Sequence, residues 1–65
     1  MEITKLAEQM ITYRARERIS QKELARRCGV SLQTINSIET ETQTPSRVTE
    51  AKIRLVIDEI KVEEN

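Results

Sequence analysis

The chain has 65 residues, and we expect residues 1–65 to form one small domain. Apolar residues make up 37% of the chain and only one residue is aromatic, so the core must be aliphatic. The single cysteine excludes an internal disulfide, and without histidine there is no conventional zinc site. The net charge is zero. No apolar run is long enough to span a membrane, and Glu2 and Glu8 interrupt what would be the apolar region of a signal peptide. We therefore expect a soluble cytoplasmic protein.

Charge is distributed unevenly along this neutral chain. Residues 14–54 carry nine basic and five acidic side chains, a local net charge of +4, whereas residues 55–65 carry four acids against one lysine. Ordinary solvated helix faces explain such a pattern, and so does a basic middle followed by a short acidic tail at 58–65. Charge alone does not choose between these two interpretations.

The first helix is predicted over residues 3–17. Leu6, Met10 and Tyr13 recur at helical spacing and mark one apolar face. Ile19 follows the helix and is expected to close the chain against the core.

A second helix is predicted over residues 20–27. Ser20, with Glu23 three residues later, forms a capping box, in which the serine oxygen accepts from a backbone N–H and the glutamate reaches back to the cap. Gly29 is expected just past the end of this helix, where the backbone often has a positive φ that is low in energy only without a Cβ. The inner face is predicted to consist of Leu24, Ala25 and Cys28.

A third helix is predicted over residues 31–39, with Ser31 as its cap. Its apolar residues are Ile35 and Ile38, which point inward, while Val30 before it fills the core. The polar run 40–45 then ends the helix as a loop.

A fourth helix begins after Ser46, or after Thr44 if Pro45 is the first helical residue, and continues to about 61. One apolar stripe suits the domain core: Ile53, Val56, Ile57 and Ile60. Other apolar residues fall on other faces: Val48, Ala51, Leu55 and Val62. The alternation of apolar residues over 52–62 also fits a strand completed by a second chain, and both alternatives predict self-association.

Two short helices joined by a turn that holds the only glycine form a helix-turn-helix unit. One glycine and one proline leave too little turn chemistry for a multi-stranded sheet. The predicted fold is therefore all-α, a small four-helix bundle, or a five-helix bundle if the last segment divides.

Residues 6–57 resemble the lambda-repressor-like helix-turn-helix family, also called the Xre or Cro/C1 type. The matching segments stand in the family's order and spacing: Arg14, Ile19-Ser20-Gln21, Leu24-Ala25, Gly29-Val30-Ser31, Ile35, Ile38-Glu39 and Pro45-Ser46. Arg18 departs from the pattern, since the family often has glycine there, so we expect a more helical first connection. The family's fifth helix is missing or fused, because no turn residue follows Pro45.

The resemblance implies that helix 31–39 enters the major groove of double-stranded DNA. Gln33 would be the foremost base reader, because its amide can donate and accept together at adenine. Leu32 stands where the family commonly has a polar residue, and it would contact a thymine methyl or pack against a neighbouring helix. Asn36 and Ser37 follow one turn later as further base readers. Solvated helix surface is the alternative for Gln33 and Asn36.

The resemblance also implies contacts to the DNA backbone, made by helix starts and by hydroxyl or cationic side chains. These residues are Gln21, Ser31, Thr34, Thr44 and Arg47. Arg14 is ambiguous, and we favour its pairing with Glu39 as a brace within the bundle.

The sequence therefore predicts a DNA-binding transcriptional regulator, a small phage- or mobile-element-type repressor or Cro-like protein acting on a palindromic operator as a homodimer. The dimer contact would use Leu55 and Val62. The alternative is a protein-binding module, antirepressor-like or antitoxin-like, with the same fold. No cofactor, metal, membrane or small-molecule ligand is expected, and without a nucleophile–base pair we expect no enzyme. Met1 at the start favours a natural small protein over an excised domain.

Overall fold

A computed structural model describes residues 5–58 and contains four helices within that range. They are α1 (Leu6–Glu17), α2 (Gln21–Cys28), α3 (Leu32–Glu39) and α4 (Arg47–Ile57). Helix α3 packs against α1 and α2, and α4 packs against the same two helices. The predicted all-α, four-helix architecture is confirmed over the described range, with no strand among these residues.

Three of the four helices begin at a serine. The hydroxyl oxygen of each serine accepts a hydrogen bond from the backbone N–H three residues later, at 3.0, 3.0 and 3.2 Å for Ser20, Ser31 and Ser46. Ser46 rather than Thr44 is thus the cap of α4. Each serine satisfies only one of the N–H groups that lack an acceptor at a helix start. The N–H groups of the two residues between the serine and the capped residue therefore stay open.

The predicted capping box of α2 is half formed. Ser20 caps the backbone N–H of Glu23, as expected. Both carboxylate oxygens of Glu23, however, accept hydrogen bonds from arginines one turn later, from Arg26 at 2.9 and 2.6 Å and from Arg27 at 3.1 Å. The glutamate therefore belongs to an ion-pair cluster on the surface of α2.

The core lies where the four helices meet. Each helix contributes one fully buried side chain: Met10, Leu24, Ile35 and Ile53. Around them lie further buried residues, including Tyr13, Ala25, Cys28, Ile38 and Ile57, with Leu6, Ile19, Val30 and Val56 partly buried against the cluster. The predicted inner faces of α1, α2, α3 and α4 are confirmed within the described range.

The turn between α2 and α3 is built on Gly29. This residue has φ +73°, and its N–H donates to the carbonyls of Ala25 and Arg26 at 2.9 and 3.3 Å. A Cβ at this position would meet no atom within 4 Å. The backbone conformation, not space, therefore requires glycine here.

The connection between α1 and α2 differs from the prediction. We expected Arg18 to make it more helical, but Arg18 ends α1 in the left-handed conformation, with φ 58° and ψ 48°. The N–H groups of Arg18 and Ile19 both donate to the carbonyl of Arg14. Arg18 thus takes the conformation that glycine takes more readily, because closing the bundle requires the chain to turn at this point.

Helix α4 has two apolar sides. Ile53 and Ile57 face the core, while Val48 and Leu55 lie on the opposite face with 66% and 49% of their surface exposed. The strand alternative is wrong for residues 52–57, which are helical. The predicted continuation to 61, Ile60, Val62 and the acidic tail lie outside the described residues, apart from Asp58, the C-cap of α4.

We predict that Arg18→Gly raises the free energy of unfolding by about 0.5–1 kcal/mol, because glycine relieves the left-handed strain. The matched control is Ala15→Gly, an exposed position inside α1, where glycine should destabilise by a similar amount. Urea unfolding followed by circular dichroism measures both changes. Equal destabilisation by the two substitutions would show that contacts of the Arg18 side chain add more to the free energy of unfolding than the strained backbone of Arg18 takes from it.

Candidate nucleic-acid interface

Helix α3 has a buried inner face and an exposed outer face. Ile35 and Ile38 are buried, whereas Gln33 and Asn36 are exposed on the opposite side. Leu32 precedes them at the surface, with 47% of its surface exposed. The outer face of α3 thus carries two amide side chains, preceded by an exposed apolar one.

Ser37 lies half-buried near the end of this helix. Its carbonyl accepts hydrogen bonds from the Thr40 hydroxyl at 3.3 Å and from the N–H and hydroxyl of Thr42 at 2.9 and 3.2 Å. Glu41 between them has φ 60°, in the left-handed region. The loop after α3 is therefore fastened to the last turn of the helix.

Ser31 and Thr34 lie together at the start of α3. Their hydroxyl oxygens are 2.8 Å apart, and Ser31 also accepts from the Thr34 N–H at 3.0 Å. One hydroxyl proton is used between the two oxygens, whichever residue donates it. The pair consequently retains one hydroxyl proton for an outside acceptor.

Gln21, the first residue of α2, is hydrogen-bonded to two residues of α3. Its Nε2 donates to Glu39 Oε1 at 2.9 Å and lies 3.4 Å from Asn36 Oδ1. A predicted backbone contact and a predicted base reader are thus joined within the protein. The sequence pattern did not reveal this link, which connects residues 15 positions apart.

Glu39 is also the centre of the brace predicted for Arg14. Its two carboxylate oxygens accept from Arg14 Nε and Nη2, both at 2.8 Å, and only 4% of the Glu39 side chain is exposed. Burial opposes ionisation of Glu39, but the hydrogen bonds from Arg14 and Gln21 outweigh it and lower the pKa of the carboxyl. The same hydrogen bond raises the pKa of Arg14. The structural role of Arg14 is confirmed.

Thr44 and Arg47 lie exposed at the other end of the loop, in the approach to α4 and in its first turn. Within residues 5–58, no side-chain hydrogen bond or ion pair engages Arg47. None of the described hydrogen bonds joins either residue to α3. Leu55 is on the outer face of α4, and Val62 lies outside the described residues.

Several basic residues are neutralised by neighbouring acids. Glu23 engages Arg26 and Arg27, and these hydrogen bonds lower the pKa of Glu23 to about 2. Arg27 also donates to the Tyr13 hydroxyl at 3.0 Å, a contact with α1 that we had not predicted. Among the described residues, four cations lack such a partner: Arg18, Lys22, Arg47 and Lys52.

The described residues contain no group of three or more His, Cys, Asp or Glu side chains that could hold a metal ion. Cys28 is buried, and burial raises the pKa of its thiol, as expected for an unreactive core residue. Between residues 5 and 58, none of the helices is long and apolar enough to cross a membrane.

The fold, in which the Gly29 turn joins α2 to α3, is that of a helix-turn-helix DNA-binding domain. A family model described as helix-turn-helix matches residues 10–53, which is 44 of 65 residues, and the chain belongs to this Cro/C1-type, Xre-like family. Its domain is a DNA-binding regulatory domain and not typically enzymatic. No curated protein and no solved structure matches the chain.

We predict that Glu39→Gln lowers the free energy of unfolding by about 1–3 kcal/mol at neutral pH, because Arg14 loses its charged partner. The folded-state pKa of Glu39 is depressed, so its contribution is full above the ordinary value of 4.5 and is lost as the pH falls through the lowered pKa. The difference between wild type and variant should therefore shrink in acid. Denaturant unfolding at a series of pH values measures it.

Glu23→Gln is the matched control, since it removes an exposed carboxylate that also pairs with arginine. Water and salt screen that surface cluster, so the change in stability should be much smaller. A Glu39→Gln difference that stays constant into acid would mean that its charge does not stabilise the fold.

Proposed function

We propose that this protein is a sequence-specific double-stranded DNA-binding regulator of the small phage- or mobile-element repressor (Cro-like) type, which reads the major groove with α3. The observation that carries the proposal is the exposed face of α3, where Gln33 and Asn36 stand opposite the buried Ile35 and Ile38. A helix held by its inner face against α1 and α2 can present its outer side chains to base edges without rearranging.

The base contacts follow from the chemistry of this face. Gln33 has no hydrogen-bond partner among the described residues, so both ends of its amide can pair with adenine N6 and N7. Leu32 suits a thymine methyl because it is apolar and 47% exposed. Asn36 and Ser37 reach the groove one turn further along. Gln33 is the residue on which we expect discrimination to depend most.

The phosphate contacts use the starts of α2, α3 and α4. At each start, the serine cap leaves two N–H groups open, and these donors suit phosphate oxygens. At α2 the main-chain N–H of Gln21 serves this purpose, because its side-chain amide is engaged by Glu39. Thr44 and Arg47 act at the start of α4, and the Ser31–Thr34 pair supplies one hydroxyl proton.

We further propose a homodimer on a palindromic operator. A single copy of this neutral chain, with few unpaired cations, gains little electrostatic affinity for DNA. Two copies related by a twofold axis would read half-sites about one helical turn apart. The outer face of α4 supports this arrangement, because Val48, Ala51 and Leu55 are exposed at helical spacing, opposite the core. Val62, the other residue predicted for this contact, lies outside the described residues.

The second candidate is a protein-binding module with the same fold, antirepressor-like or antitoxin-like. It is favoured by one observation, the zero net charge of the chain. On α2, for example, both arginines pair with Glu23. DNA binding depends steeply on salt because counterions are released. Binding to a protein partner that does not change with salt would support this candidate.

We predict that selection from a random duplex pool yields a defined site, and that Gln33→Ala loses about 1–3 kcal/mol of discrimination at one of its base pairs. Affinity for random duplexes should stay nearly unchanged. Titrations of the selected duplex and of single-base variants measure the loss. An equal loss on selected and random duplexes would assign Gln33 to the scaffold.

Arg47→Ala is the matched control in the same titrations, since it removes a proposed phosphate contact. It should weaken all duplexes alike and reduce the salt slope by about one contact. If the pool yields no preferred sequence, the proposed function is wrong.

We predict that Leu55→Glu leaves the monomer folded but abolishes dimerisation and cooperative occupancy of two half-sites, because it puts charge into the apolar contact. The matched control is Ile11→Glu, which replaces an apolar residue of similar exposure on α1, 45% against 49%. Sedimentation at micromolar concentration, with titration of full and half operators, measures the effect. Equal behaviour of both variants would remove the outer face of α4 from the dimer.

A further inference from the structure

The hydrogen bonds among Glu39, Gln21 and Asn36 have a direction that chemistry imposes. An ionised carboxylate only accepts hydrogen bonds, and the Glu39 carboxylate is ionised beside Arg14, its two oxygens each accepting from that guanidinium at 2.8 Å. The group of Gln21 that lies 2.9 Å from Glu39 Oε1 must therefore be its NH₂. The orientation of the Gln21 amide is thus set by a buried charge.

The same constraint passes to Asn36. The Gln21 NH₂ has two protons; one is used by Glu39, and the other points to the Asn36 side chain at 3.4 Å. Only an acceptor can receive it, so Asn36 turns its Oδ1 towards Gln21. The oxygen of the Asn36 amide is thus engaged by Gln21, while its NH₂ group has no partner among the described hydrogen bonds.

We propose that Glu39, acting through Gln21, holds the Asn36 oxygen inside the protein, so that Asn36 reads its base pair with its NH₂ donors and selects guanine against adenine there. Guanine offers two acceptors in the major groove, N7 and O6, which the two protons of one NH₂ group can span. Adenine offers N7 and an N6 donor, and pairing with both would require Asn36 to turn its oxygen to the base. That rotation would leave a Gln21 N–H without its acceptor.

This inference rests on the proposed function, in which α3 lies in the major groove. It adds a polarity that the sequence alone does not carry, since an asparagine in isolation can pair with either purine. Gln33 has no such constraint, because no described hydrogen bond engages its amide. The two amides on one face of α3 are therefore expected to read different purines.

The test uses the full chain and the duplex selected by the wild type. The base pair read by Asn36 is first identified as the one whose substitution no longer matters in Asn36→Ala. All four bases are then compared at that position for wild type and for Gln21→Met, which keeps the side-chain length but removes the amide. Gln33→Met is the matched control, since it removes an amide from the same face outside the Glu39 network.

We expect the wild type to prefer guanine over adenine by about tenfold at this position. In Gln21→Met the preference should fall to about twofold or less, because Asn36 is free to rotate, whereas Gln33→Met should keep the tenfold ratio. A loss of overall affinity in Gln21→Met does not affect the readout, which is a ratio between duplexes bound by the same variant. Circular dichroism confirms that each variant is folded.

Three results would overturn the inference: a wild-type preference for adenine at this pair, a ratio unchanged by Gln21→Met, or no base pair that responds to Asn36→Ala. Each of these leaves selective DNA binding intact. A wild-type chain that selects no duplex at all would instead contradict the proposed function itself.

Discussion

The Glu39 carboxylate holds the reading surface together, because a nearly buried charge must have its lone pairs filled. It stands at the last residue of α3 and accepts from Arg14 on α1 and from Gln21 at the start of α2. Three helices are thereby tied to one group that is only 4% exposed. The relative positions of α2 and α3, and through Gln21 the orientation of Asn36, depend on it.

The domain around this group has little stability to spare. Helices of 8 to 12 residues are marginal on their own, so their stability comes from packing and capping. The core is centred on one fully buried residue from each helix, surrounded by further buried and partly buried side chains, and serines cap three of the four helix starts. This small core touches all four helices and so supports α3 and α4 from their inner sides, leaving outward the two faces that we propose to contact DNA and a second copy.

The attraction of this protein for DNA depends on which cations are paired with acids, and not only on the total charge. Glu23 pairs with both arginines of α2, Arg27 also pairs with Glu17, and Arg54 is engaged by Glu50 and Asp58. The cations left without partners in the described range are few, so long-range attraction to DNA is weak and affinity must come from local donors. The helix starts with open N–H groups and the proposed homodimer would both meet that requirement.

The sequence by itself determined the helices, their serine caps, the glycine turn and the inward-facing residues, because these features depend on neighbours within about four residues. The family resemblance added the pairing of Arg14 with Glu39. Only the tertiary structure decided that Arg18 adopts a left-handed conformation and that the Gln21 amide is spent on Glu39 and Asn36. Both outcomes arise where separate helices meet, and contacts 15 and 18 residues apart exist only after the core has packed.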